Sequence, residues 1–146
     1  MRDREPWTAT EAEQIIRRHQ GRNGALLPIL NDIQAAFGHV PDGVVPIVAE
    51  ALNLSRAEVH GTISFYHDFR RVPLERPVLK LCRAEACQAR GADRIAAALE
   101  SVGAVAVEPV YCLGLCASGP SAMIGKQVFA RLDEQAAIAL AKDAAR

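Results

Sequence analysis

The four cysteines of this 146-residue chain fall in two tight pairs, and none lies elsewhere. LCRAEACQARG carries Cys82 and Cys87 in a C-x4-C spacing; VYCLGLCASGP carries Cys112 and Cys116 in a C-x3-C spacing. The stretch between the pairs is long enough for one helix and one strand, which would return the chain to the edge it left. Four thiolates offered by two neighbouring loops form a metal-ligand set. Zinc takes four cysteines tetrahedrally, commonly from loops with about two to four residues between ligands. A 2Fe–2S cluster also takes four, two on each iron, and its greater width suits the longer spans. Four buried, reduced cysteines with no ligand role are the plainer alternative. Their paired placement beside Gly91, Gly114 and Gly119 argues against it.

Compartment and partner class follow from composition. The opening MRDREPWTATEAEQ mixes charges of both signs and holds no apolar stretch, so it does not resemble a secretory signal. No apolar run approaches the roughly 20 residues that span a bilayer. A cytoplasmic protein is expected, in a compartment that keeps thiols reduced and disfavours stable disulfides. Residues 1–76 hold nine basic and ten acidic side chains, and residues 77–146 hold eight and seven. Neither part is a basic patch, and aromatic residues make up only 5% of the chain, so nucleic-acid binding is not expected.

Residues 1–71 read as a helical extension. TATEAEQIIRRH offers two overlapping capping boxes, Thr8 with Glu11 and Thr10 with Glu13; the first would set Trp7 to pack back on the opening turn. Leu26, Leu30, Ile33 and Phe37 share one helical face, Pro28 lies in the first turn, and Gly38 is placed to end the helix. VVPIVAEALN repeats the design, and Ser55 with Glu58 forms a further capping box. RVPLERP is a linker. Residues 77–146 then give a strand over Pro77–Leu81, a helix over Gly91–Glu100, a strand over Ala104–Val110, a hairpin turning at Gly125-Lys126, and a helix over Leu132–Ala144. The fold class expected is α+β: a helical bundle, then a small mixed sheet with flanking helices.

The pattern CRAEAC and CLGLC resembles the thioredoxin-like 2Fe–2S ferredoxin family, which includes the small iron–sulfur subunit of NADH:quinone oxidoreductase and its counterparts in NAD-linked hydrogenases and formate dehydrogenases. LLPILNDIQAAFGHVPDGVVPIVAEALNLSRAEVHGTISFYHDF is similar to the helical extension that precedes the ferredoxin fold in that family. The wording CRAEACQARG and YCLGLCASGPSAM resembles most the gamma subunits of soluble NAD-dependent formate dehydrogenases. The resemblance implies a thioredoxin-like sheet domain over 77–146 and a 2Fe–2S cluster on Cys82, Cys87, Cys112 and Cys116. It also implies a hetero-oligomeric oxidoreductase with a flavin-binding, NADH-oxidising subunit and a larger iron–sulfur or molybdenum subunit as partners. The cluster would exchange single electrons with the flavin, and the chain would carry no active site of its own. No glycine-rich dinucleotide fingerprint follows a strand, so NAD is not expected to bind here.

Other residues have plainer readings. His67, in SFYHDF, is expected to be a packing or interface residue, because four cysteines leave no ligand position open. His19 and His39 read as helix-end and turn residues. Phe65, Tyr66 and Phe69 are expected to pack between the helical part and the sheet, with a share of them facing a partner as the alternative. Arg83 and Arg90 are either solvated charges or contributors to the potential of a cluster. The rival from another class is a zinc-stapled interaction module. A dithiol oxidoreductase is weaker, since neither pair has the C-x-x-C spacing.

Overall fold

The computed structural model describes residues 7–146; the opening MRDREP, the first six residues of the stretch read as unlike a secretory signal, lies outside them. The chain divides into two compact units, Met1–Leu74 and Glu75–Arg146.

Among the described residues the first unit holds four helices: α1 (Ala9–Arg18), α2 (Leu26–Phe37), α3 (Val44–Leu52) and α4 (Arg56–Phe65). Local chemistry sets their ends. Thr8 caps α1 by accepting the Glu11 N–H, and its hydroxyl donates to the Glu11 carboxylate, so of the two candidate caps the first is used. Gly38 ends α2 in the left-handed conformation at φ 79°, and Asn53 ends α3 the same way at φ 53°. At α4 the Ser55 hydroxyl accepts the Glu58 N–H, and the Glu58 carboxylate accepts the Ser55 N–H in return. The apolar stripes meet in one core containing Ile15, Ile29, Leu30, Ile33, Val45, Val48 and Val59. Trp7 packs against this core, with its ring so close to Gly43 that a Cβ there would collide with it.

The second unit is a four-stranded mixed sheet with three helices. Its elements are β1 (Val78–Cys82), α5 (Glu85–Ala89), α6 (Ala92–Val102), β2 (Ala106–Val110), β3 (Ala122–Ile124), β4 (Gln127–Phe129) and α7 (Glu134–Ala144). The strand order is β2-β1-β3-β4; β1 runs parallel to β2 and antiparallel to β3, and β3–β4 is the hairpin read at Gly125-Lys126. Pro109 lies on β2, an edge strand, where its missing N–H is tolerated. Leu79 and Leu81 point from β1 into a core with Ile95 and Leu99 of α6 and Ala137 and Ala141 of α7. This is the expected α+β arrangement of helical bundle and mixed sheet.

Four local expectations change. Cys82 is the last residue of β1 rather than the first of a loop, because its N–H continues the ladder to Ser121 O at 2.9 Å. Cys87 lies on α5, a five-residue helix too short to show a periodic pattern. β2 starts two residues later than expected and α7 starts at Glu134, where the Asp133 side chain accepts the Ala136 N–H.

Candidate metal centre

Parallel pairing of β1 with β2 brings the carboxyl ends of both strands to one edge of the sheet, the usual location of sites in such folds. Cys82 ends the central strand. Two backbone bonds hold it between its neighbours: its own N–H to Ser121 O, and the Arg83 N–H to Val110 O, both 2.9 Å. Cys87 follows one turn into α5. Cys112 comes directly after β2 and Tyr111, in the left-handed region at φ 76°. Cys116 opens a single 3-10 turn, Cys116–Ser118.

The four thiols are unbridged and fall into two unlike pairs. Cys82 and Cys87 are each 2% exposed and share a small apolar cluster with Ala84, Ala92, Val110 and Leu113; Cys112 and Cys116 are exposed. The Cys112 and Cys116 sulfurs are 3.6 Å apart, and the Gly114 N–H points at Cys112 Sγ from 3.4 Å. Burial pushes the Cys82 thiol up. Hydrogen bonds from the backbone of Ala84 and Cys112, from the Cys87 thiol and from the backbone of Leu113 outweigh it and hold Cys82 below the ordinary thiol value. Cys116 is pushed up, first by its hydrogen bond to Cys112 and then by the charge on that sulfur; the charge on Cys87 adds to the effect. The loop from β2 and the Cys82–Cys87 segment therefore interact through sulfur as well as through backbone.

Room has been left for sulfur at Gly119. A Cβ there would lie 2.9 Å from Cys87 Sγ, closer than real Cβ atoms come. Gly114 serves differently: its flank is open, and it is needed for φ 76°. Among the described residues, no three His, Cys, Asp or Glu side chains gather as around one ion. Four thiols, with N–H groups directed at Cys82 and Cys112, match the all-cysteine ligand set of a 2Fe–2S core.

The profile of the thioredoxin-like [2Fe-2S] ferredoxin family matches residues 12–145. The chain belongs to that family. Its cofactor is therefore a 2Fe–2S cluster. The NADH-quinone oxidoreductase of Escherichia coli K12 has a subunit, lettered E, that is 30% identical over 143 residues, covering 88% of this chain and 86% of that protein. The HndA component of the NADP-reducing hydrogenase of Solidesulfovibrio fructosivorans is 29% identical over 130 residues, covering 82% and 76%. The crystal structure of an NAD+-reducing [NiFe]-hydrogenase in its H2-reduced state shares the fold with a TM-score of 0.68 at 21% identity. The match covers 82% of this chain but only 22% of that hydrogenase chain.

The remaining expectations divide. Phe65 is 74% exposed and Tyr66 is exposed too, their rings meeting edge to face at 5.0 Å. The buried face of α4 carries Val59 and Ile63, and Phe65 falls off that stripe; only Phe69 packs on the helical core. His67 is exposed. His19 caps α1 and pairs with Asp32 at 2.7 Å, and His39 Nδ1 lies 3.2 Å from Phe37 O. Arg83 is paired with Asp93 at 2.7 Å. Arg90 is the residue whose role sequence reasoning missed. It ends α5, and its Nη1 donates toward the carbonyls of Cys116 at 3.0 Å, Ala117 at 2.9 Å and Gly119 at 3.4 Å. One guanidinium thus ties the Cys87 helix to the Cys116 loop. Ser121 was missed as well; no local pattern marks either residue.

Proposed function

We propose that this chain is an electron-transfer subunit of an NAD-dependent oxidoreductase complex, with its cluster held by Cys82, Cys87, Cys112 and Cys116. When bound, the cluster supplies one-electron exchange with the flavin of a partner subunit. The observation that supports the reading is the placement of the two cysteine pairs at and just beyond the carboxyl ends of the parallel strands β1 and β2, one pair buried and one exposed. The buried pair holds the centre away from water on the side of Ala84, Ala92 and Leu113. The exposed pair leaves a side open to a redox partner. Arg90 and the backbone bonds at Cys82 fix the spacing between the two cysteine segments. The chain's contribution is position and electrostatics, with the one-electron chemistry left to iron. Names of relatives support the assignment to NAD(P)-linked complexes. The wording around the cysteines favours formate dehydrogenase as the parent complex, with a flavin-binding NADH-oxidising subunit and a larger iron–sulfur or molybdenum subunit. We also propose that residues 1–71 and 77–146 act as separate domains and that the protein works in the cytoplasm. No described helix is long and apolar enough to cross a membrane.

Anaerobic purification tests the cluster assignment. The expected protein is reddish-brown, contains iron and inorganic sulfide in about equal amounts, and gives an EPR signal on reduction. Cys82→Ser and Cys116→Ser lower or abolish the colour, and His67→Ala leaves it unchanged. Colourless protein holding one zinc overturns the assignment. Purification from the native host tests the complex: recovery with formate-oxidising, NAD-reducing activity is expected, and recovery with quinone-reducing or hydrogenase activity instead refutes the formate reading.

A further inference from the structure

Ser121 is the buried polar side chain among the described residues, at 1% exposure. A buried hydroxyl is costly unless it finds a partner. Its Oγ lies 3.6 Å from Cys87 Sγ, within hydrogen-bond range for sulfur. The backbone at this point is anchored: Ser121 O accepts the Cys82 N–H at 2.9 Å, and the next residue opens β3. Rotation about Cα–Cβ and of the O–H is the freedom that remains to the side chain.

We infer that Ser121 is a positioning residue that donates a hydrogen bond to the sulfur of Cys87 and thereby raises the reduction potential of the cluster. The inference rests on the reading of Cys87 as a ligand. Between two neutral groups either atom can donate. A ligating cysteine is a thiolate without a proton, so the hydroxyl is then the donor. Reduction adds negative charge to the iron–sulfur centre and its ligand sulfurs, and a donor stabilises the more negative form. Burial strengthens the effect, because water cannot compete for a sulfur that is 2% exposed. The exposed Cys112 and Cys116 have solvent as an alternative source of donors, so this contact acts on the inner side of the centre.

The test is a redox titration of the intact loaded chain, following visible absorbance or EPR. Ser121→Ala removes the hydroxyl and keeps both the Cβ and the backbone bond to Cys82. With iron and sulfide at wild-type content, its midpoint is expected to fall. At a fixed ambient potential near the wild-type midpoint, the reduced-to-oxidised ratio should drop roughly three- to tenfold, tenfold being about 59 mV for one electron. Ser121→Thr keeps the hydroxyl and should stay close to wild type. A fully loaded Ser121→Ala protein with the wild-type midpoint overturns the inference. If Ser121→Ala loses its cluster while Ser121→Thr keeps it, the hydroxyl acts in retaining the cluster and not on its potential, and the inference fails. If both lose it, the site demands shape and not a donor, and the inference fails. Cys87→Ser, run in parallel, isolates the underlying reading: an unaltered cluster spectrum there refutes Cys87 as a ligand, whatever Ser121 does.

Discussion

Removing the Arg90 guanidinium should loosen the Cys116 loop without unfolding the sheet. Nη1 has two hydrogens and three carbonyls within reach, those of Cys116, Ala117 and Gly119, so at most two full bonds form at once. At a net value of about 0.5–1.5 kcal/mol for each bond, the pair contributes roughly 1–3 kcal/mol. Arg90 is exposed, so water replaces it on the freed carbonyls and the lower part of that range applies, about 1–1.5 kcal/mol. If release of the cluster begins with opening of this loop, Arg90→Ala should lose iron to a chelator about five- to tenfold faster, since about 1.4 kcal/mol is a factor of ten in rate. Bleaching of the visible absorbance under anaerobic chelation measures this directly. Arg90→Lys keeps the charge but not the planar fork, so it should fall between alanine and wild type. Iron loss from Arg90→Ala at the wild-type rate would refute the latch. Equal acceleration in the lysine and alanine variants would show that geometry matters and charge does not.

Three further outcomes are expected. Gly119→Ala places a Cβ 2.9 Å from Cys87 Sγ; it should cost about 1–3 kcal/mol by overpacking and reduce iron retention, measured by thermal unfolding and iron analysis. Ile33→Ala empties a fully buried position in the helical unit; a loss of about 2–5 kcal/mol in denaturant unfolding is expected, and a loss below about 1 kcal/mol would contradict the packing described. The Glu58 carboxylate is held below its ordinary 4.5, chiefly by the Ser55 N–H and then by the Ser55 hydroxyl. Its contribution is therefore present above about pH 4.5 and is lost as pH falls through the lowered value. Glu58→Gln should flatten that acid limb of the stability profile, and an unchanged limb would remove Glu58 as its source.

Much of this molecule was legible along the chain because the relevant forces act within a few residues. A cap is a side chain meeting an N–H three positions on, and Thr8 and Ser55 show it. A helix stops where glycine can turn left-handed, as at Gly38. Two thiol pairs at C-x4-C and C-x3-C spacing already pointed to four-cysteine ligation. α5 was not legible: five residues carry no period, and Cys87 is its buried residue, packed with Cys82. Pairing of β1 with β2 brought the two cysteine segments to the same edge, and packing left Cys82 and Cys87 buried and Cys112 and Cys116 exposed. The Arg90 and Ser121 contacts span 26 to 34 residues of sequence. Such contacts depend on where the sheet and its loops place distant backbone, and no short window of sequence contains that information.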